Sequence, residues 1–598
     1  MNPTSEVLER INRSSNQHHD GVFTRLYRYL LREDIYYAAY QKLYSNKGSV
    51  TKGVDDDTAD GFGDEYVASI IEDLKNETFK PKPVRRKYIL KANGKQRPLG
   101  IPSFRDKLVQ EAVRMILEAI YEPVFYDQSH GFRPNRSCHT ALKQIKIDFH
   151  GAKWFIEGDI RGCFDNINHN VLIATLGKKI KDSKFLNLIR LFLKAGYVED
   201  FEYHSTISGT PQGGIISPIL ANIYLHELDA KVMEIKAGFD CPSSRSQTKE
   251  YVHLHTIKQT LRKKIGVAQG EEREELIRQY KEADKAMKST PAKCQDDKKI
   301  VYVRYADDFL IGVFGSRKDA ESIKAALKQF LADEYTLELS EEKTKITHTS
   351  ERVRFLGSDI AVRRDQTLKR RKDGITGRTL LNTVELTAPL EDKVTKYLFA
   401  HELVAQTPEG KIIPISVPRL RYLPEADIVR SFDAQFRGIC NYYRLAANYD
   451  RLIFLQYIME YSCLKTLASK FDTTISKLIK KYRIKGGWGI PYKTRKGEGI
   501  AKMSKLADCR NGKLCIDVNP WSYVSYRDGA LSIQKRLSTH TCELCGTYCE
   551  HVKVYHAGSM KELDLATPWG AKMKAIRRKT LVVCGDCYER IHRGNSQH

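Results

Sequence analysis

The sequence lacks any long hydrophobic run. Nothing in its 598 residues approaches the roughly 18 consecutive apolar residues that a bilayer-crossing helix needs, so no membrane span is expected. The first twenty residues are polar and have no apolar centre of the kind a secretory signal carries. Acidic residues are in short supply: 74 Asp and Glu face 99 Lys and Arg, leaving a net charge of +25. That surplus points to a polyanionic partner, most simply nucleic acid. Cysteine is sparse for most of the chain. Of 13, eight are scattered singly as far as Cys515 and five fall between Cys542 and Cys587. Such clustering in a chain without secretion signals favours a metal site over disulfides. What is present suffices for sizeable cores, with 41% apolar residues and enough length for three or four domains.

The stretch that organises the rest is 301–313. Two β-rich runs, 301–305 and 309–313, flank a tight corner carrying Asp307 and Asp308, the pattern of a β-hairpin. Adjacent ionised carboxylates repel unless a cation and a further ligand join them. Mg²⁺ suits, because it takes oxygen ligands and bridges carboxylates to substrate phosphates. The alternative is a plain polar turn, where Asp is common. An apolar strand at 154–160 ends in Asp159, which supplies the third carboxylate. Asp165 competes for that role but reads as a cap of the next helix. Residues 81–102 run strand, Asn-Gly turn, strand, with Lys91 and Arg97 flanking the turn. A basic hairpin of this kind can close over a triphosphate, Arg giving a forked contact and Lys a point charge. In Ser208-Gly209-Thr210-Pro211-Gln212-Gly213-Gly214 the glycine pair permits close backbone approach to a ligand, and Gln212 can hydrogen-bond in a groove.

Helices are expected at 21–45, 137–148 and 215–225, the first reading either as an RNA-touching basic helix or as an ordinary amphipathic one. A charged helical insertion follows at 249–292, with Glu274 and Arg278 spaced for an ion pair. Residues 361–380 hold seven Lys and Arg, Arg370 and Arg371 among them, against Asp365 and Asp373, and suit a loop or loose hairpin on phosphate. Helical segments at about 388–404, 426–447 and 451–483 fit a three-helix bundle. Residues 476–505 carry ten Lys and Arg, including Lys480, Lys481, Arg483 and Lys485, against Glu498 alone, with Tyr482, Trp488 and Tyr492 interleaved. That mixture suits RNA phosphates and unstacked bases. The knuckles Cys542-x₂-Cys545 and Cys584-x₂-Cys587 are a strong tetrahedral Zn²⁺ signal.

The order of strand-Asp, Pro-Gln-Gly-Gly loop and Tyr305-Ala306-Asp307-Asp308 hairpin resembles a reverse transcriptase palm. The Gly131-Phe132-Arg133-Pro134 loop, the Arg97-Pro98-Leu99-Gly100-Ile101-Pro102 run, the Arg437–Tyr443 and Trp488–Tyr492 stretches and the terminal knuckles resemble those of proteins encoded by group II introns, of the lactococcal or group IIA type, which carry a similar insertion. The resemblance implies an α+β fold: a right-hand polymerase with fingers and palm on an antiparallel sheet, a helical-bundle thumb and a small zinc-bound HNH-like C-terminal domain. It implies an N-terminal extension at 1–80, fingers and palm at 81–360 with the insertion at about 235–297, a thumb or maturase domain at 361–492, a DNA-binding segment at 493–540 and the HNH-like domain at 541–598. Two Mg²⁺ on Asp159, Asp307 and Asp308 would serve nucleotidyl transfer, with Lys343 protonating the pyrophosphate or standing as a surface lysine. Phe164 would exclude a ribose 2′-OH, Gln212 line the nucleotide pocket, and Lys91 and Arg97 grip the triphosphate. One Zn²⁺ would sit on the four cysteines. The endonuclease match degrades: Tyr555-His556 replaces a His-His pair and Tyr588 a further His, leaving His556 as general base and His592 as metal ligand.

The implied activities are RNA-directed DNA synthesis, help in splicing the host intron, and retrohoming. The implied partners are the intron RNA in a lariat RNP, target DNA and dNTPs, in the bacterial cytoplasm and at the nucleoid through the RNP, with a dimer among the open oligomeric states. The competing readings are an RNA-binding maturase with an idle polymerase and another bacterial reverse transcriptase, such as a retron type.

Overall fold

A computed structural model describes the chain except residues 1–2, 45, 91–93, 95, 201, 207, 211–212, 242–246, 291, 293–297, 371–373, 375, 378–380, 495–496, 512–532, 561–562 and 596–598. At its centre is a four-stranded antiparallel sheet whose order in space is Lys299–Tyr305, Asp308–Phe314, Trp154–Asp159, Ile346–His348. Its two hairpin strands are buried along most of their length because both faces are covered. Ile300, Tyr302, Phe309 and Ile311 join a core shared with the helices Phe104–Tyr121, Ser217–Phe239 and Arg317–Tyr335. Val301, Val303, Leu310 and Phe155 face a second core with the helix Cys138–Asp148 and a sheet of Val353–Phe355, Ser358–Val362 and Val384–Thr387.

Above this palm, the hairpin Val84–Leu90 and Gln96–Ile101 pairs in parallel with Tyr197–Glu199. The insertion forms two antiparallel helices, Lys249–Ile265 and Gly270–Ser289, the second lying beside the strand Thr376–Gly377. Within it Arg278 pairs with Glu275, not with the expected Glu274.

The thumb has its own core, built from Glu425–Tyr442, Ile453–Lys470 and Ile475–Lys481. The helix expected over 451–483 is therefore two helices. The first ends before Phe471, and the Thr474 hydroxyl caps the second by accepting from Lys477 N. The segment expected at 388–404 is shorter too, a π-turn Leu390–Val394 running into Thr395–Ala400, followed by an unanticipated hairpin, Val404–Gln406 with Ile412–Pro414. Palm and thumb are joined where His139 Nε2 donates to Asn441 O at 2.8 Å and Tyr442 OH donates to Leu356 O at 2.8 Å.

At the N-terminus the single helix expected over 21–45 is a short 3₁₀ turn, Tyr27–Leu31, and a helix Glu33–Leu43, separated by Arg32 in extended conformation. Tyr36, Tyr37 and Tyr40 are buried, so the amphipathic reading holds for that face. An amphipathic helix Thr4–Gln17 packs on Phe104–Tyr121. The strand Phe62–Gly63 adds to the sheet of the C-terminal module, in the order Phe62–Gly63, Val552–His556, Thr580–Cys584.

Candidate active site

Strand register brings the first two carboxylates together. Asp159 closes its strand, Asp308 opens the next, and antiparallel pairing sets them directly opposite one another. Such pairs hold their Cβ atoms about 5 Å apart. Beside them Gly158 leaves room for Phe309, whose ring carbon lies 2.0 Å from where a Cβ at 158 would stand. Asp307 sits in the turn between the hairpin strands. Loss of water raises both hairpin carboxyls above the usual carboxylate range; repulsion from Asp307 and Asp159 carries Asp308 further, to about 7. Arg97, exposed on the fingers hairpin, and Lys343 partly offset the rise at Asp307. Lys343 Nζ bonds Asp159 Oδ2 at 2.9 Å, which holds the ammonium above its ordinary range. Three oxygen donors that resist sharing one small space are the donor set a hard divalent cation satisfies. A cleft of about 330 Å³ opens there, lined by Asp159, Asp308, Lys343, Arg354 and Leu356.

Phe164 stands on the short helix Cys163–Asn166, partly buried, with its ring edge-on to Phe132 at 6.4 Å. Its carbonyl accepts from Thr210 N at 2.7 Å, and Ile167 O accepts from Gly209 N at 2.8 Å, so the glycine-rich loop is tied to the turn after Asp159. Asp165 is exposed within that short helix and does not cap it: the N-cap is Gly162, in left-handed conformation (φ 55°). Lys91 and Gln212 lie outside the described residues.

Beneath the hairpin lies a node that the sequence reading missed. Arg304 is fully buried. Its Nε and Nη2 donate to Asp229 Oδ1 and Oδ2 at 2.7 and 2.6 Å, Nη2 also to Ser129 Oγ at 2.8 Å, and Nη1 to Ala306 O at 2.9 Å and Asn222 Oδ1 at 3.3 Å. Burial opposes the charge on Arg304; Asp229 overcomes it and holds the guanidinium protonated. Tyr302 OH adds a bond to Asp229 Oδ1 at 2.8 Å. Ala306, next to the paired carboxylates, is left-handed at φ 56°, a conformation costing roughly 1–2 kcal/mol for a residue with a Cβ. The Arg304 bond to its carbonyl holds it there. Gly131 makes room, since a Cβ at 131 would stand 2.3 Å from Ala306 N. The one available signal was an Arg inside an apolar strand and an Asp inside an apolar helix, residues that are buried only when paired.

Lys480 and Lys481 close a thumb helix, and Arg483 and Lys485 follow on the turn Arg483–Ile484 and Gly487–Trp488; all four basic side chains are exposed. Lys481 Nζ lies 5.2 Å from the Tyr482 ring centre. Arg370 is exposed on a two-stranded hairpin; Arg371 lies outside the described residues. In the C-terminal module the thiols of Cys542, Cys545, Cys584 and Cys587 all lie within 4.8 Å of one another. Cys545 Sγ and Thr547 Oγ1 lie 3.3 Å apart, and hydrogen bonding with Thr547 pulls the Cys545 thiol down to about 6, toward the thiolate that binds zinc. Four sulfurs this close fit one tetrahedral Zn²⁺. His556 is buried, its Nε2 donating to Tyr44 O at 3.1 Å, and His592 Nε2 lies 2.9 Å from Asp60 Oδ2.

An acidic strand end set against an acidic hairpin, beneath a basic fingers hairpin and beside a helical thumb, defines a right-hand polymerase of the reverse transcriptase class. The family model for reverse transcriptase (RNA-dependent DNA polymerase) matches residues 89–252 and 277–360, that for type II intron maturase 382–508, and that for the AI2M/AI1M-like HNH endonuclease 542–588. The chain is 49% identical over 99% of both chains to the group II intron-encoded protein LtrA of Lactococcus lactis subsp. cremoris. It is 36% identical, over 98% of its length and 72% of the relative's, to an uncharacterized 91 kDa protein in the cob intron of Schizosaccharomyces pombe. It is 32% identical, over 99% and 72%, to a putative COX1/OXI3 intron 1 protein of Saccharomyces cerevisiae. The chain belongs to the group II intron-encoded proteins, as an RNA-directed DNA polymerase and maturase that binds intron RNA and nucleotides. Among the described residues no helix is long and apolar enough to cross a membrane.

Proposed function

We propose that Asp159, Asp307 and Asp308 are the polymerase carboxylates, and that the same chain carries its intron RNA into DNA by retrohoming. The observation that carries the site is the register pairing Asp159 with Asp308, with Asp307 alongside. Two Mg²⁺ held by this trio would lower the pKa of the primer 3′-OH and neutralise the pyrophosphate oxygens. The chain's own groups then position and screen. Arg97, already close enough to temper Asp307, would grip the triphosphate, a role that the sequence motif extends to Lys91. Lys343 is a charged ammonium within reach of the carboxylates, placed to hand a proton to departing pyrophosphate. Phe164 crowds the sugar 2′ position, and Gln212 lines the nucleotide pocket from the loop tied to it.

The maturase role needs no carboxylate chemistry. It rests on the exposed cations Arg370, Lys480, Lys481, Arg483 and Lys485, with Tyr482 among them as a stacking face, and on Arg371 by its place in the basic sequence run. Zinc in the four-cysteine site organises the C-terminal module. Residues 493–540 are assigned to target DNA, and a dimer on the RNA is compatible with this division of labour. The test is the double substitution Asp307→Ala, Asp308→Ala in the full chain: primer extension on an RNA template should vanish while splicing of the host intron persists. Loss of both activities together would defeat the two-role assignment, and retained extension would defeat the site.

A further inference from the structure

The corner of the C-terminal module where an endonuclease of its family would do its chemistry is already occupied by the chain itself. Asp60, from the N-terminal region, enters it and uses both oxygens. Its Oδ1 accepts from His556 N at 2.7 Å; its Oδ2 accepts from Tyr588 OH at 2.8 Å and lies 2.9 Å from His592 Nε2. The residues after it complete a docked strand. Gly61 N donates to Val554 O at 2.9 Å, and Phe62 and Gly63 pair with Val554 and Lys553. The approach is close: a Cβ at Gly63 would stand 2.6 Å from Val552 O. Glu65 continues the contact outward, near Lys553 at 3.5 Å and His551 at 3.9 Å.

The donor set does not fit a catalytic divalent cation. Tyr555 and Tyr588 offer neutral phenols where imidazole or carboxylate would bind well. Among the described residues the carboxylate that enters the corner, Asp60, is satisfied by three polar partners. His556 does not fit a general base either. Its Nε2 donates to Tyr44 O, and its Nδ1 is buried with no partner among the described residues, whereas a base must be within reach of the proton it takes. The interface below the corner is a true core rather than a surface touch. Val552, Val554, Val582, Ile533 and Leu537 belong to the same buried cluster as Tyr40 and Phe62.

We propose that this corner is a docking socket for Asp60, and that the C-terminal zinc module works as a structural clasp on the fingers without cutting DNA. The proposal goes beyond the polymerase reading and uses none of its residues, so primer extension on the same preparations reports separately on that site. The experiment compares full-length wild type with Asp60→Ala, Asp60→Asn, Tyr588→Phe and His592→Ala. Hydrogen exchange is followed at residues 552–556, zinc content is measured, and bottom-strand nicking is assayed with the reconstituted lariat RNP on DNA carrying the ligated exons. Wild type should not nick. Asp60→Ala should speed exchange at His556 by on the order of tenfold or more, the weight of one charge-assisted hydrogen bond, with zinc retained and extension unchanged. Asp60→Asn, Tyr588→Phe and His592→Ala should give smaller increases in the same peptide. Unchanged exchange in Asp60→Ala would overturn the docking. Nicking by wild type that His592→Ala abolishes would overturn the structural role, and so would nicking gained by Asp60→Ala, which would make the corner a closed catalytic site.

Discussion

Replacing Arg304 by methionine probes the node under the turn that carries Asp307 with little change in volume. The guanidinium makes five hydrogen bonds, two of them to Asp229, and both side chains have no exposure at all. Removing it strands a carboxylate in the interior with the Tyr302 hydroxyl beside it. Breaking a buried pair from one side costs about 3–5 kcal/mol. For a unit the size of fingers plus palm, each kcal/mol is worth roughly 2–4 °C, so the melting temperature should fall by about 6–20 °C. The double substitution Arg304→Met, Asp229→Leu removes both charges and should recover most of that loss, giving a coupling energy of about 2 kcal/mol or more. Activity should not recover with it. Ala306 O loses its donor, and a carboxylate misplaced by about 1 Å can cost on the order of 10²-fold in rate. Thermal melts, denaturant titrations and single-turnover primer extension on the wild type, both single variants and the double variant separate the two effects. A loss below about 1 kcal/mol in Arg304→Met, or normal extension by the double variant, would refute the positioning argument.

Three further outcomes follow from the same geometry. Gly131→Ala should push the turn at Ala306 aside, because its Cβ would stand 2.3 Å from Ala306 N; overpacking of this kind costs roughly 1–3 kcal/mol, and extension should drop far more than stability, as parallel melts and rate measurements would reveal. The raised carboxyl of Asp308, at about 7, binds protons more tightly folded than unfolded, so without metal its contribution to stability is present at acid pH and is lost as pH rises through about 7; Mg²⁺ binds the ionised form, so the thermal shift it produces should grow from pH 6 to pH 8 and flatten in Asp308→Asn. Zinc chelation, or Cys584→Ser, should loosen the strand Val552–His556 and with it the paired Phe62–Gly63, detectable as faster hydrogen exchange in both segments, while extension persists.

Much of the site was legible in one dimension because its signals are local. The β-rich runs around Asp307 and Asp308 and the spacing of the cysteine knuckles are each set by neighbouring residues and the turn or ligand geometry they permit. Helix ends were less legible. Apolar periodicity runs on past Phe471 and past Leu31, and only the cap at Thr474 and the extended Arg32 break it. Asp165 looked like a cap because an acid near a helix start often is one, whereas Gly162 takes that place through a left-handed backbone.

By itself, then, the sequence determined which chemistry the chain can carry: three acids at strand ends, basic hairpins, four thiols in two knuckles, and a charge suited to RNA. Tertiary structure alone decided which of these groups meet. Asp159 faces Asp308 because two strands pair in one register and not the next. Arg304 finds Asp229 75 residues away, and Asp60 enters a corner 496 residues further along. The physical reason is the same in each case. A buried ion pair or a filled socket is favoured only where shape and loss of water coincide in three dimensions, and no pattern along the chain encodes that coincidence.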